Sequence, residues 1–286
     1  MTARSQLVSI LTRPFKRMAK RMLGEQLYQQ VRVTFLRDQQ GLGLDWRWCN
    51  SLRGVQPIRR DFGWREGQPI DRYYTEGKFL AEYKADIHGR VLEIADNRYT
   101  RQFGGERVTT SDVLDLDTEN SGATIHADLT KGDHIPSAVF DCAILTFTLH
   151  LIFDVRAVLM TVERILKPGG VVLIVVPGIS QLSRYDMDTS GDYWRFTSLS
   201  IRMLFEEVFR PEDVMVKTYG NVLSAMASLQ GLVSTELRRD ELDYRDRDYE
   251  LVIGVRAMKR RGAEPCLDLQ NSCSVNTVER ETRHST

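Results

Sequence analysis

RVLEIADNRYTRQFGG, residues 90 to 105, is a short apolar run with one acid inside it, followed by a polar turn. Val91, Leu92, Glu93, Ile94 and Ala95 predict a buried strand, bounded by Gly89 before it and Asp96-Asn97 after it. Open α/β sheets bind ligands beyond the carboxyl ends of their strands, where the strand order reverses. The turn from Ala95 to Tyr99 is therefore the expected ligand position.

Downstream of that turn, residues 107–111 predict a second short strand with Asp112 just past its end, about twenty residues after Glu93. An acid at that tip can accept two hydrogen bonds from ribose hydroxyls; Asp also favours turns and caps, which is the plainer alternative. Residues 123–127 predict a third strand leading to Asp128 and Leu129, a carboxylate and a backbone N–H that suit an adenine edge. A stronger buried strand follows at 140–146, then a loop carrying His150, then a helix over 154–166 whose inner stripe is Val158, Leu159, Val162, Ile165 and Leu166. Pro168-Gly169-Gly170 stops that helix, and residues 171–176 read as a strand buried on both faces. Two buried strands joined through a helix imply a right-handed parallel crossover. A polar loop over 180–197, a helix capped by Ser198 or Ser200, and strands at 214–219 and 250–257 complete the pattern; a helix at 222–232 and a charged stretch at 236–248 separate the last two strands.

Upstream, Pro69 opens a helical pattern through Phe79, Leu80 and Tyr83, which places Asp71, Arg72 and Tyr73 over the same cleft. Residues 38–68 are rich in Trp, Gly and Arg without a sustained period, as expected of an irregular lid or extension. Residues 1–37 hold bases at 4, 13, 16, 17, 20, 21, 32 and 37 against the single acid Glu25, with apolar residues at helical spacing. Such a segment can lie on an anionic membrane, dock on a partner, or pack on its own domain with its basic face solvated. Beyond 259 the pattern disappears, and residues 260–286 have the composition of a disordered tail.

Composition narrows the function classes. In 286 residues, 39 Lys and Arg balance 39 Asp and Glu, which gives no reason to expect a nucleic-acid binder. Four cysteines without close paired spacing suggest neither zinc nor a redox pair, so no metal is expected, and the thiols are those of a cytoplasmic protein. No apolar run approaches the ~18 residues needed to span a bilayer.

The order of parts resembles the class I methyltransferases that use S-adenosylmethionine (SAM), of the type 11 kind. The residues carrying the resemblance are VLEIADN at 91–97, Asp112, ADL at 127–129, FDCAILTFTLHLIFD at 140–154, ILKPGGVVLIVVPG at 165–178 and DYWRFT at 192–197. PIDRYY with LEIADNRYT and FGG is similar to a bacterial subgroup associated with glycan assembly. The resemblance implies a Rossmann-like α/β domain over 69–259 with a seven-stranded mixed sheet, order 3-2-1-4-5-7-6, and helices on both faces. It implies SAM as cofactor, with Tyr73, Glu93, Ala95, Asn97, Asp112, Asp128, Leu129 and Thr146 around it. Ala95, Asn97 and Tyr99 stand where the family has Gly-x-Gly-x-Gly, so three Cβ atoms enter a turn that usually needs freedom and close approach.

The implied reaction is methyl transfer to an oxygen or nitrogen of a small or glycan acceptor. His150 is the candidate base, since imidazole titrates near neutral pH, and is equally read as a helix-start residue. Tyr185, Tyr193, Trp194 and Arg195 are the candidates for acceptor binding, with a packed Trp194 as the alternative. Two other functions share parts of the pattern. A noncatalytic methyltransferase fold serving an assembly would account for the missing glycines; a nicotinamide-dependent oxidoreductase would need the G-x-G-x-x-G that is absent.

Overall fold

The computed structural model describes residues 54–260. The segment expected at 1–37, most of that at 38–68 and nearly all of the tail lie outside the described residues.

Seven strands form one sheet: β1 Gly89–Ile94, β2 Val108–Asp115, β3 Ile125–His126, β4 Phe140–Thr146, β5 Leu166–Pro177, β6 Val214–Tyr219 and β7 Val252–Met258. Their order is β3-β2-β1-β4-β5-β7-β6. The first five run parallel, and β7 is antiparallel to both β5 and β6. The order reverses between β1 and β4, so the carboxyl ends of these two strands flank the crevice of a doubly wound, Rossmann-like α/β fold.

The central strands are apolar because each face of the sheet is covered. Alternate residues sort to opposite sides, as a period of two requires. Leu92, Ala143, Leu145, Val172 and Ile174 share one core with helices α2 (Val155–Ile165) and α4 (Ser198–Glu206). Val91, Cys142, Ile144, Leu173 and Val175 share the other with α1 (Ile70–Tyr74), the π-helical turn Thr75–Leu80 that continues it, and the small helices α5 (Val222–Leu229) and α6 (Arg239–Asp243). A further short helix, α3, spans Arg184–Thr189.

Local chemistry sets the element ends. Asp154 caps α2 by accepting from the Ala157 N–H at 3.0 Å. The cap of α4 is Thr197, not Ser198 or Ser200: its hydroxyl accepts from Ser200 N–H while the Ser200 hydroxyl accepts from Thr197 N–H. The KPGG segment does not stand apart from the fifth strand; β5 starts at Leu166 and bulges there, Phe140 pairing with Leu166 and Cys142 with Val171. A Cβ at Gly170 would lie 2.9 Å from the carbonyl oxygens of Phe140 and Lys167, so the bulge requires glycine.

Two strands differ from their expected extents in ways that matter for the site. β2 continues to Asp115, four residues past the expected end, because its ladder with β1 persists through the Ile94–Leu114 pair. β3 keeps only Ile125 and His126. Between β1 and β2 the connection is a continuous helical segment that starts at Arg98 and Tyr99 in α-helical form and goes on through a π-helical turn, Thr100–Gly104, and a 3₁₀ turn, Gly105–Arg107.

Candidate functional site

The turn after β1 is held from below by Glu93. This carboxylate is 3% exposed and accepts from two successive backbone donors, Tyr99 N–H at 3.0 Å and Thr100 N–H at 2.7 Å. Burial pushes its carboxyl above the ordinary range, while the hydrogen bonds from Thr100 and Tyr99 act in the opposite sense. Above it, Ala95 takes φ +67°, the left-handed backbone that favours glycine. The turn thus keeps a glycine-like path at the first of the three substituted positions. Ala95 N–H donates to Leu114 O at 2.9 Å, and its carbonyl accepts from Asn120 Nδ2 at 2.9 Å. Asn97 turns sideways: its Nδ2 donates to the Ser111 hydroxyl on β2 at 3.2 Å.

Asp112 is not at the tip of β2. It lies inside the strand opposite Leu92, 7% exposed, with Arg90 Nε donating to it at 2.6 Å and the Thr124 hydroxyl at 3.1 Å. Its oxygens are spent within the sheet, and the carboxylate at the end of β2 is that of Asp115. Asp115 Oδ2 accepts from Asn120 Nδ2 at 2.6 Å, the same amide that reaches Ala95 O. One side chain therefore ties the tip of β2 to the turn after β1. Beyond β3, Asp128 caps the 3₁₀ turn Leu129–Lys131, accepting from Thr130 N–H at 2.9 Å and from its hydroxyl at 2.7 Å. These bonds hold its carboxyl below the usual range, and Leu129 is buried behind it.

On α1, neighbouring residues separate to different surroundings. Tyr73 leaves the crevice, its hydroxyl donating to Asp243 at 2.6 Å while Lys78 sits 5.5 Å from its ring centre. Arg72 enters the crevice instead. Its Nη1 donates to the Tyr99 hydroxyl at 2.5 Å, and its guanidinium carbon lies 5.0 Å from the ring centre of Phe147, 5.3 Å from Trp64 and 6.0 Å from Tyr99. Cation–π attraction acts over such distances. Phe147 reaches this place because it follows the last residue of β4 with φ +51°. The sequence places Arg72 over the cleft without a role, and the end of β2 at Asp115 has no local signal beyond its place on the same strand.

Thr146 ends β4, half-buried, and its carbonyl accepts from the Thr148 hydroxyl at 3.3 Å. His150 follows in the 3₁₀ turn Leu149–Leu151, five residues before α2 begins, so it is not a helix-start residue. It is 7% exposed, and its Nδ1 is buried without a hydrogen-bond partner. Burial lowers its pKa to about 4, against the pull of Asp192. The imidazole is neutral at physiological pH.

The acceptor loop splits. The His150 carbonyl accepts from Tyr193 N–H at 2.8 Å and Trp194 N–H at 3.2 Å, which seats the loop against the β4 end. Arg195 is not free to bind an acceptor. It pairs with Asp192, whose side chain is fully buried, and donates to the carbonyls of Trp194, Gln181 and, at 3.4 Å, Ser180. Trp194 is largely structural: Nε1 donates to Ile152 O at 3.1 Å and the ring stacks on Phe153 at 5.7 Å. Tyr193 and Tyr185 stand exposed, and Tyr193 meets Phe153 edge-on at 5.6 Å.

Among the described residues no group of three or more His, Cys, Asp or Glu is arranged to hold a metal, and no helix is long and apolar enough to cross a membrane.

A family model described as "Methyltransferase domain" matches residues 61–174. Among solved structures, a SAM-dependent methyltransferase from Archaeoglobus fulgidus is 13% identical over 65% of this chain and 99% of that one, with TM-score 0.44. The N-methyltransferase NodS from Bradyrhizobium japonicum WM9, solved with S-adenosyl-L-homocysteine, is 13% identical over 71% of this chain and 94% of that one, with TM-score 0.44. A SAM-dependent methyltransferase from Mesorhizobium loti is 18% identical over 64% and 99% of the two chains, with TM-score 0.41. No curated protein matches the chain.

Proposed function

We propose that this chain, which carries a class I SAM-dependent methyltransferase domain, moves the methyl group of SAM to an oxygen or nitrogen of a small acceptor with a sugar part. The residues at the strand ends fit the cofactor. Ala95 keeps the glycine-like backbone over the Glu93-held turn, Asp115 offers a carboxylate where ribose hydroxyls are expected, and Asp128 with Leu129 lies where an adenine edge is expected. SAM supplies, when bound, a methyl group on a positively charged sulfur.

His150 carries the acceptor side of the reading. An oxygen or nitrogen acceptor loses a proton, and a neutral imidazole with an unpartnered buried Nδ1 can hold that hydrogen. The nearby Asp192 charge favours the imidazolium once the proton arrives. Alignment and exclusion of water do the rest, as an in-line displacement demands little else. Because Arg195 is consumed by Asp192, its guanidinium is not offered to an anionic group. The exposed rings of Tyr193 on the loop and Phe153 beside it suit the apolar face of a sugar.

Transfer of radiolabelled methyl from SAM to a panel of neutral glycosides and amino sugars tests the reading. His150→Gln should lower kcat while leaving SAM affinity unchanged; labelling of no oxygen or nitrogen acceptor would defeat it. A noncatalytic role in an assembly draws on Asn97 and Tyr99 in the glycine positions, and SAM binding without turnover would select it. The basic segment at 1–37 supports docking to an anionic membrane or a partner, which liposome sedimentation with and without that segment tests.

A further inference from the structure

The helix α5 has its residue sizes reversed. Ser224, Ala225 and Ala227 face the core and are buried, whereas Val222, Met226 and Leu229, spaced four and three apart, form one stripe on the opposite side. Val222 is 45% and Leu229 39% exposed, and Met226 between them is half-buried. A helix at the surface of a domain ordinarily turns its large apolar residues inward, and one that is apolar all round is covered on every side. The outer stripe of α5 therefore lacks its cover among the described residues.

The chain enters the domain at the end of this stripe. Ile58 N–H donates to Gln230 Oε1 at 3.1 Å and Arg59 N–H to Gln230 O at 3.0 Å, at the residue that caps α5. The Arg59 guanidinium then grips Gly231 O at 3.0 Å and Glu236 at 2.8 and 3.0 Å. Gly231 takes φ +70°, and a Cβ there would collide with the Arg59 carbonyl oxygen, so the crossing is built into the fold. Ile58 and Val55 stand exposed beside it.

Just upstream, LGLDWRW at residues 42–48 alternates strictly, with Leu42, Leu44, Trp46 and Trp48 set between Gly43, Asp45 and Arg47. That is the pattern of an extended strip with one apolar side. Every second residue of such a strip advances about 6.6 Å and every fourth residue of a helix about 6.0 Å, so two apolar rows of this kind keep step. The ten residues from Trp48 to Ile58 can span about 33 Å, against roughly 10 Å for the stripe on α5. We infer that residues 42–48 lie along the outer stripe of α5 as an intramolecular clasp. Three side chains are far fewer than the roughly 20–30 residues a side of a stable dimer, and α5 carries no Lys or Arg to meet a lipid headgroup. A tethered segment needs neither, because its effective concentration is already high. The clasp does not depend on what the crevice binds. It makes the basic segment at 1–37 leave the domain on the α1 side of the sheet, against which α5 packs.

Disulfide trapping in the full chain tests the clasp. Cys49, Cys266 and Cys273 are each replaced by Ser, which leaves the buried Cys142. Trp48→Cys is then combined with Leu229→Cys or with Val222→Cys, so that both directions of the strip are covered. An intramolecular disulfide, which needs Cα atoms within about 7 Å, should form in at least one pair. It should form about tenfold or more faster than in Trp48→Cys with Met203→Cys; Met203 is exposed on α4, across the sheet. Rates equal to that control in both pairs would overturn the clasp. Disulfide-linked dimers in place of the monomer would also overturn it, and give the stripe to a second copy. Leu229→Asp should leave sedimentation with phosphatidylglycerol vesicles as in the wild type; a loss would give the stripe to a lipid surface instead. Unchanged circular dichroism of each reduced variant shows that it is folded.

Discussion

Replacing His150 should flatten the acid side of the stability profile. In the folded chain its pKa is lowered to about 4 by burial, whereas in the unfolded chain an exposed imidazole titrates near ~6.5. The unfolded state therefore binds the proton more readily, and stability falls as pH drops from about 6.5 toward 4. At pH 5 the unfolded imidazole is almost fully protonated and the folded one almost fully neutral. A gap of ~1.5 pH units at ~1.36 kcal/mol each gives a loss of about 2 kcal/mol between pH 7 and pH 5. The loss levels off near about 3 kcal/mol once both states are protonated. Urea unfolding of the wild type and His150→Gln at both pH values isolates this term, because the other titrating groups are common to the two proteins. The wild type should lose about 2 kcal/mol more than the variant. Equal losses would mean that the imidazole is solvated or paired, and its role as a neutral hydrogen acceptor would fall with that.

Three further outcomes follow from the geometry. Asp112→Ala should cost about 1–3 kcal/mol of stability by leaving Arg90 and Thr124 without their partner, with SAM affinity retained in calorimetry; Asp115→Ala should show the reverse, an affinity loss of about tenfold with small stability change. Ala95→Gly should raise stability by about 1 kcal/mol in thermal unfolding, since a Cβ at φ +67° is strained and glycine is not. Arg195→Gln should cost about 3 kcal/mol in urea unfolding, because the Asp192 side chain is fully buried and would lose its counter-charge.

Much of the architecture was legible because the central strands are buried on both faces and so announce themselves as apolar runs. Residues 140–146 and 171–176 needed no long-range knowledge to be read as strands. The edges were harder. VTTSDVLD carries an acid at Asp112 that looks like a strand terminator, and only the ladder to Leu92 shows it to be interior. The carboxylate at the end of the strand was thereby read three residues early. Arg72 and Tyr73 illustrate a different difficulty: adjacent helical residues diverge by about 100°, and sequence does not say which one faces the crevice. The Arg195–Asp192 pair stood in plain view at a spacing of three, but its completeness depends on the carbonyls of Ser180, Gln181 and Trp194. Nothing local foretold that Tyr99 would meet Arg72, 27 positions away.

The helical crossover between β1 and β2 has an electrostatic consequence. It runs from Arg98 to Arg107 through α-, π- and 3₁₀-helical turns, and two of its first backbone donors, Tyr99 N–H and Thr100 N–H, go to the Glu93 carboxylate. The positive end of the aligned peptide dipoles is thus met by an acid of the strand that leads into it. Backbone and side chain balance one another there, so the charge at the turn depends on the path of the main chain as much as on the residues it carries.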